Sequence, residues 1–137
     1  MVSPMIAPST AAAITAARLS RPSYAITPPT NTAISPGNTI NYYESVLKKM
    51  GGKQEDFVRL YMAPGMQHCG GGPGPNQINY MAIMERWRES NQTPASIEAY
   101  HVANNRVDMT RPLCAYPQIA TYKGVGSIND AANFVCK

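Results

Sequence analysis

The chain has 137 residues, room for one domain at most, and a formal net charge of +4 from 12 basic and 8 acidic side chains. Apart from Lys48, Lys49 and Lys53 the basic residues are scattered, so no stripe tracks a nucleic-acid backbone and that class of partner is excluded. No apolar run reaches the length of about 18 residues that a membrane-spanning helix needs, so no membrane segment is predicted.

In chain order, Met1 to Tyr43 contains no Asp or Glu, is rich in Ala, Pro, Ser and Thr, and has Arg18 and Arg21 as its only charged side chains. Thr10 to Leu19, TAAAITAARL, carries helix propensity through its alanines. A secretory signal is not convincing here, because the basic n-region is missing and prolines interrupt the apolar residues. The reading is a low-complexity, disordered segment over residues 1–33, with a folded unit over 34–137.

Order is expected from ISPGNTINYYESVLKKMGG, Ile34 to Gly52. Ser35 is a natural N-cap and Pro36 suits the first helical position. Ile40, Tyr43, Val46, Leu47 and Met50 fall at helical spacing, Lys48 and Lys49 favour the C-terminal dipole, and two glycines stop the helix. A strand is predicted over Phe57 to Met62, followed by the loop APGMQHCGGGPGPN, Ala63 to Asn76. A second helix opens at Pro75 or Asn76 and closes near Asn91, with Ile78, Met81, Ala82, Met84 and Trp87 on its apolar face. A short strand follows, with Ile97, Ala99, His101 and Ala103 alternating against Glu98, Tyr100 and Val102. The tail from Arg106 reads as mostly loop, held between Cys114 and Cys136. The fold class is α/β, and since one strand cannot close a core, most of its sheet is expected to lie outside this sequence.

The three cysteines, Cys69, Cys114 and Cys136, form no CxxC pair, so a zinc ribbon or a thioredoxin motif is excluded. A Cys114–Cys136 disulfide would stabilise the tail by roughly 3 kcal/mol and implies an oxidising compartment. Cys69 is then left over, with its partner elsewhere. The loop around His68 admits several readings. A phosphate cradle lacks the Lys-Ser or Lys-Thr that should follow the glycines, and Pro73 and Pro75 remove amide donors. A metal site from His68, Cys69 and His101 has no supporting spacing. A tight turn with a surface histidine is the plain alternative. A histidine after a strand and before a helix is also where an α/β-hydrolase places its catalytic base. Elsewhere, His101 reads as structural, Trp87, Met81 and Met84 as helix core, Tyr116 and Tyr122 as packing for the tail, and Arg111 as a salt-bridge anchor.

PGMQHCGGGPGPN, Pro64 to Asn76, resembles the signature around the catalytic histidine of the tannase and feruloyl esterase family. RPLCAYPQIATYKGVGSINDAANFVC, Arg111 to Cys136, resembles that family's C-terminus, and Ile34 to Gly52 its preceding helix. The resemblance spans residues 34–137. It implies the C-terminal part of a secreted α/β-hydrolase serine esterase acting on phenolic-acid esters. His68 then matches the general base, and Cys69 matches the cysteine paired with one beside the nucleophilic serine.

The sequence also departs from the family. The glycine-cysteine-serine-x-glycine-glycine nucleophile motif is absent, as are the oxyanion hole and the lid that holds the family's calcium site; no cofactor or metal is expected in these 137 residues. The triad acid lies three residues before the ISP stretch, where this sequence has Asn31. The expectation is a truncated chain, inactive alone, with a partner-dependent or regulatory module as the alternative.

Overall fold

The computed structural model describes residues 12–13, 23–27, 35–52, 54–68 and 70–137. Asn31, Lys53 and Cys69 lie outside them, as does most of the segment expected to lack order.

The first three strands form one sheet. β1 (Ala12–Ala13) pairs antiparallel with β2 (Ser23–Thr27), and β2 pairs in parallel with β3 (Val58–Met62). Both β1 and β2 fall where the sequence predicts no order, and β1 falls where alanine propensity favours a helix. Parallel neighbours need a crossover, and α1 (Pro36–Met50) supplies it. Ser35 and Pro36 open the helix as expected, although the Ser35 side chain makes no cap bond. It ends at Gly51 (φ 97°), and the Gly52 N–H donates to the Leu47 carbonyl at 2.7 Å. That six-to-one bond is the Schellman stop a glycine permits. Of the predicted stripe only Tyr43 is fully buried, and Met50 is exposed.

α2 runs Tyr80–Ser90, shorter at its start than the sequence suggests. Asn76 and Gln77 are extended instead. Both N–H groups donate to the Tyr100 carbonyl, at 3.1 and 2.9 Å, and the Tyr100 N–H returns to the Gln77 carbonyl at 3.0 Å. Asn79 caps the helix by accepting from the Ala82 N–H at 3.1 Å. Trp87 is buried, with Ile83 and Met84 packed against the same cluster, whereas Met81 is 69% exposed and points away from the core.

The tail is not mostly loop. β4 (Ser96–Ala103) and β5 (Arg106–Cys114) form an antiparallel hairpin, closed by Asn104 and Asn105 at φ 51° and 59°. Asparagine tolerates this left-handed turn, and Pro112 is accommodated because the sheet has only two strands. β6 (Ala120–Tyr122) then pairs with β7 (Phe134–Cys136), which follows a short 3-10 turn at Ala131–Asn133. A disulfide joins Cys114 to Cys136, with Cα atoms 5.6 Å apart, tying the end of β5 to β7.

The hairpin is stitched back onto β3. Tyr61 bridges Ala115, and the Tyr116 N–H donates to the Leu60 carbonyl at 2.8 Å. The core is Tyr61, Ala63, Met66, Trp87, Ile97, Ala99, Leu113 and Ala115. Two tail residues act otherwise than expected. Tyr116 packs edge-on against Tyr43 of α1 at 6.1 Å and donates to the Glu44 carboxylate at 2.7 Å, so it anchors the helix. Arg111 meets no carboxylate among the described residues; its guanidinium lies 3.9 Å over the Phe134 ring. Tyr122 does pack within the tail, 5.5 Å from Phe134.

Candidate active site

The loop after β3 is built to hold its tip in one place. β3 enters the core with Leu60 and Tyr61 fully buried, and Ala63 is buried just beyond it. The Tyr61 hydroxyl donates to the Pro94 carbonyl. Loss of water around it holds this phenol well above its usual range. Met66 then drops into the core at 4% exposure and pins the loop from below. Gln67 and His68, next in the chain, stand at the surface.

Two rings of backbone hydrogen bonds close around that tip. The Gln67 N–H donates to the Gly71 carbonyl at 3.0 Å, and the Gly70 N–H donates to the Gln67 carbonyl at 3.3 Å. Further out, the Gly74 N–H donates to the Gly65 carbonyl at 3.0 Å. The strands of the loop cross so closely that a Cβ on Gly74 would fall 2.0 Å from the Pro64 carbonyl oxygen. A Cβ on Gly72 would fall 2.3 Å from that of Gly65. These glycines are there for close approach of backbone to backbone. The Asn76 side-chain amide clips the exit by donating to the Gly72 and Gly74 carbonyls at 3.4 and 3.3 Å.

This geometry bears on what the loop can do. A phosphate cradle needs amides pointing outward, but the Gly70 and Gly74 N–H groups are spent inside the loop and Pro73 and Pro75 have none. A histidine exposed on a surface loop can exchange a proton with whatever docks beside it. Among the described residues no group of three or more His, Cys, Asp or Glu side chains could hold a metal ion. His101 belongs to another feature: its Nδ1 lies 2.6 Å from the Asp108 carboxylate across the β4–β5 hairpin. Cys114 and the foot of the loop, at Pro64, Gly65, Pro73, Gly74 and Pro75, line one groove, which places the disulfide-held tail across from the base of the His68 loop. Met66 and Asn76 went unrecognised in the sequence as supports. Asn76 could be read there only as a helix start, and a lone Met carries no sign of its burial.

The family model for tannase and feruloyl esterase matches residues 29–137, which include Asn31, His68, Cys69, Cys114 and Cys136. The chain belongs to the tannase and feruloyl esterase family. Among curated members, a mono(2-hydroxyethyl) terephthalate hydrolase of Piscinibacter sakaiensis is 41% identical over 109 residues, covering 77% of this chain and 18% of that protein. A probable feruloyl esterase of Arthroderma benhamiae is 36% identical over 109 residues, covering 75% of this chain and 20% of its own length. Of the solved structures, an esterase from Aspergillus oryzae superposes with a TM-score of 0.74 at 26% identity, covering 83% of this chain and 27% of that one. Feruloyl esterase B from the same organism shares the fold at 24% identity, with a TM-score of 0.75 over 83% of this chain and 26% of its own. The chain spans about a fifth of the length of the curated relatives it matches. Its described residues share the α/β fold of the solved family structures.

Proposed function

We propose that this chain carries the histidine end of a serine-type carboxylic ester hydrolase site, acting on esters of aromatic and phenolic acids. His68 is the general base: it takes the proton of a serine hydroxyl as that attacks the ester carbonyl, then returns it to the leaving alcohol. The observation that carries this reading is His68 at the tip of a doubly ringed loop directly after a buried strand, within the family match. Cys69, next to it, is assigned a disulfide to the cysteine beside that serine, holding base and nucleophile in register. The serine is supplied by sequence outside these 137 residues, which hold no nucleophile motif. The chain alone is therefore expected to hydrolyse no ester. The Cys114–Cys136 disulfide supports an oxidising, extracytoplasmic setting. Asn31 stands at the position of the triad acid and cannot stabilise an imidazolium as a carboxylate does.

A chimera tests this. Residues 29–137 replace the matching segment of the Piscinibacter hydrolase, and turnover of mono(2-hydroxyethyl) terephthalate is measured. With Asn31→Asp the chimera should turn over, and His68→Ala in that background should lower kcat by roughly 10³-fold or more. A folded Asn31→Asp chimera that turns over equally well with His68→Ala would exclude His68 as the base.

A further inference from the structure

A third strand starts beside β4 and breaks off. The Tyr100 N–H and C=O face away from β5 and are taken by Gln77, which bridges Tyr100 in antiparallel sense. The chain then leaves the sheet for α2, capped at Asn79. Backbone groups two residues apart in a strand point the same way, so those of Glu98 and Ser96 reach this same edge. Glu98 stands opposite Pro112, which has no N–H to give, and among the described residues no backbone group pairs with Glu98 or Ser96 on the open side. β3 joins the hairpin from the other side, through Ala115 and Tyr116, so this edge is an outer one. The open rungs meet a groove of about 570 Å³ whose other wall is α2, with Ala82, Ile83 and Arg86 in its lining. Ile97 and Ala99 are buried in the same core cluster as Trp87 of α2, while Ser96 and Glu98 are exposed on the opposite face. Neither Arg86 nor Glu98 has an ion-pair partner among the described residues.

These features narrow the occupant. A small ligand could meet Arg86 but would leave the amide rungs open. A second copy paired on this edge would bring its own α2 to the same face, turning Arg86 towards Arg86. A single extended strand meets both the rungs and the charges. We infer that the β4 edge takes an extended peptide of another protein as its third strand, antiparallel to β4 and in line with Gln77. Register sets the chemistry of that peptide. The residue opposite Glu98 shares its face and is basic. The residue opposite Ile97 turns to Ala82 and Ile83 and is aliphatic. Opposite Ser96 a threonine fits, and the residue after it turns to α2 again, where Arg86 calls for a carboxylate. The inference does not depend on the role of His68.

The probe is the end-blocked peptide Ser-Lys-Val-Thr-Glu-Ser, titrated into the unaltered 137-residue chain and followed by nuclear magnetic resonance. It should bind with a Kd below about 1 mM and protect the Glu98 amide from hydrogen exchange, while the Tyr100 amide, already paired, stays as it is. Methylating the peptide nitrogen of its lysine should weaken binding at least about fivefold, because that N–H donates to Glu98. Methylating the nitrogen of its valine should change little, because that N–H points away from β4. Glu98→Lys should weaken the peptide about threefold, and a peptide with glutamate in place of its lysine should recover the loss. The methylated peptides need no protein variant, so they decide even where Glu98→Lys fails to fold. Equal loss at the two methylation sites, an unprotected Glu98 amide, no recovery by the charge-swapped peptide, or no saturation up to about 10 mM would each overturn the site and leave a solvated edge. Glu98 protection that rises with protein concentration alone would overturn it too, since a second copy would then hold the edge.

Discussion

Gly74 shows how much of the His68 loop rests on the absence of single atoms. Its backbone is not in the left-handed region, so an alanine there would suffer no φ strain, only the collision with the Pro64 carbonyl 2.0 Å away. Relieving that collision means parting the two legs of the loop and breaking the Gly74–Gly65 hydrogen bond. Gly124 is the converse, with φ at +85° and nothing within 4 Å of a Cβ. Gly124→Ala should cost about 1 kcal/mol, the price of a left-handed alanine. Gly74→Ala should cost about 3 kcal/mol, in the range of overpacking a site that cannot give. Urea unfolding of the two variants compares them directly, and a smaller loss for Gly74→Ala would show that the loop yields. Gly72 combines both penalties, a φ of +89° and a Cβ 2.3 Å from the Gly65 carbonyl oxygen. Gly72 and Gly74 therefore mark a crossing point of the chain, whereas Gly70 and Gly71 have room for a side chain and serve the turn through their positive φ.

At the scale of elements, the tail depends on its disulfide more than on its packing. β6 and β7 have three residues each, with Phe134 between Tyr122 and Arg111 as their main side-chain anchor. The Cys114–Cys136 link closes a loop of 22 residues. Replacing both cysteines by alanine should cost about 3 kcal/mol and expose the β6–β7 amides to hydrogen exchange, while β4 and β5 stay protected. Unchanged exchange in β6–β7 would count against this division. α2 makes a second contrast. Trp87→Ala should cost about 3–5 kcal/mol as a core deletion, whereas Met81→Ala should stay within about 0.5 kcal/mol, read from thermal midpoints. The sequence made α1 legible because Ser35, Pro36 and Gly51 are local signals that act within a turn of the helix. It made Trp87 legible through the helical spacing of an apolar face, although the same spacing also selected the exposed Met81. It hid the start of α2, since Asn76 and Gln77 are drawn out by Tyr100, a partner far along the chain. It hid β5 as well, because Pro112 and the Asn104–Asn105 turn look like loop until the facing strand is known. At the site, His68 and its glycines were visible through their motif. Their supports, Met66 and Asn76, depend on tertiary contacts that no local spacing reports.

For the whole molecule, the joint between β3 and the hairpin decides where stability lies, and its tyrosines make that measurable. Tyr61 is fully buried at the centre of the core, with its hydroxyl on the Pro94 carbonyl. Desolvation raises its pKa well above 10, an effect that nearby Arg59 only partly offsets. Tyr43, on the helix side, is raised for the same first reason. Tyr116 is raised chiefly by its hydrogen bond to Glu44. All three therefore keep their protons in the folded chain at pH values where the unfolded chain has lost them. The unfolded state then binds fewer protons, so stability is complete below about pH 10 and falls as pH rises through the folded-state values. Tyr61, the most deeply buried of the three, contributes a slope of about 1.4 kcal/mol per pH unit in that window. Tyr61→Phe should remove one phenol's share of the slope, whatever it does to stability at neutral pH. Urea unfolding between pH 9 and 11, with phenolate absorbance followed in parallel, reads both quantities. In the unaltered chain the buried phenols should ionise only as the fold is lost, with the joint between β3 and the hairpin opening in the same transition. A Tyr61→Phe chain with an unchanged slope would mean that Tyr61 ionises in place, and that the core around it admits water before it unfolds.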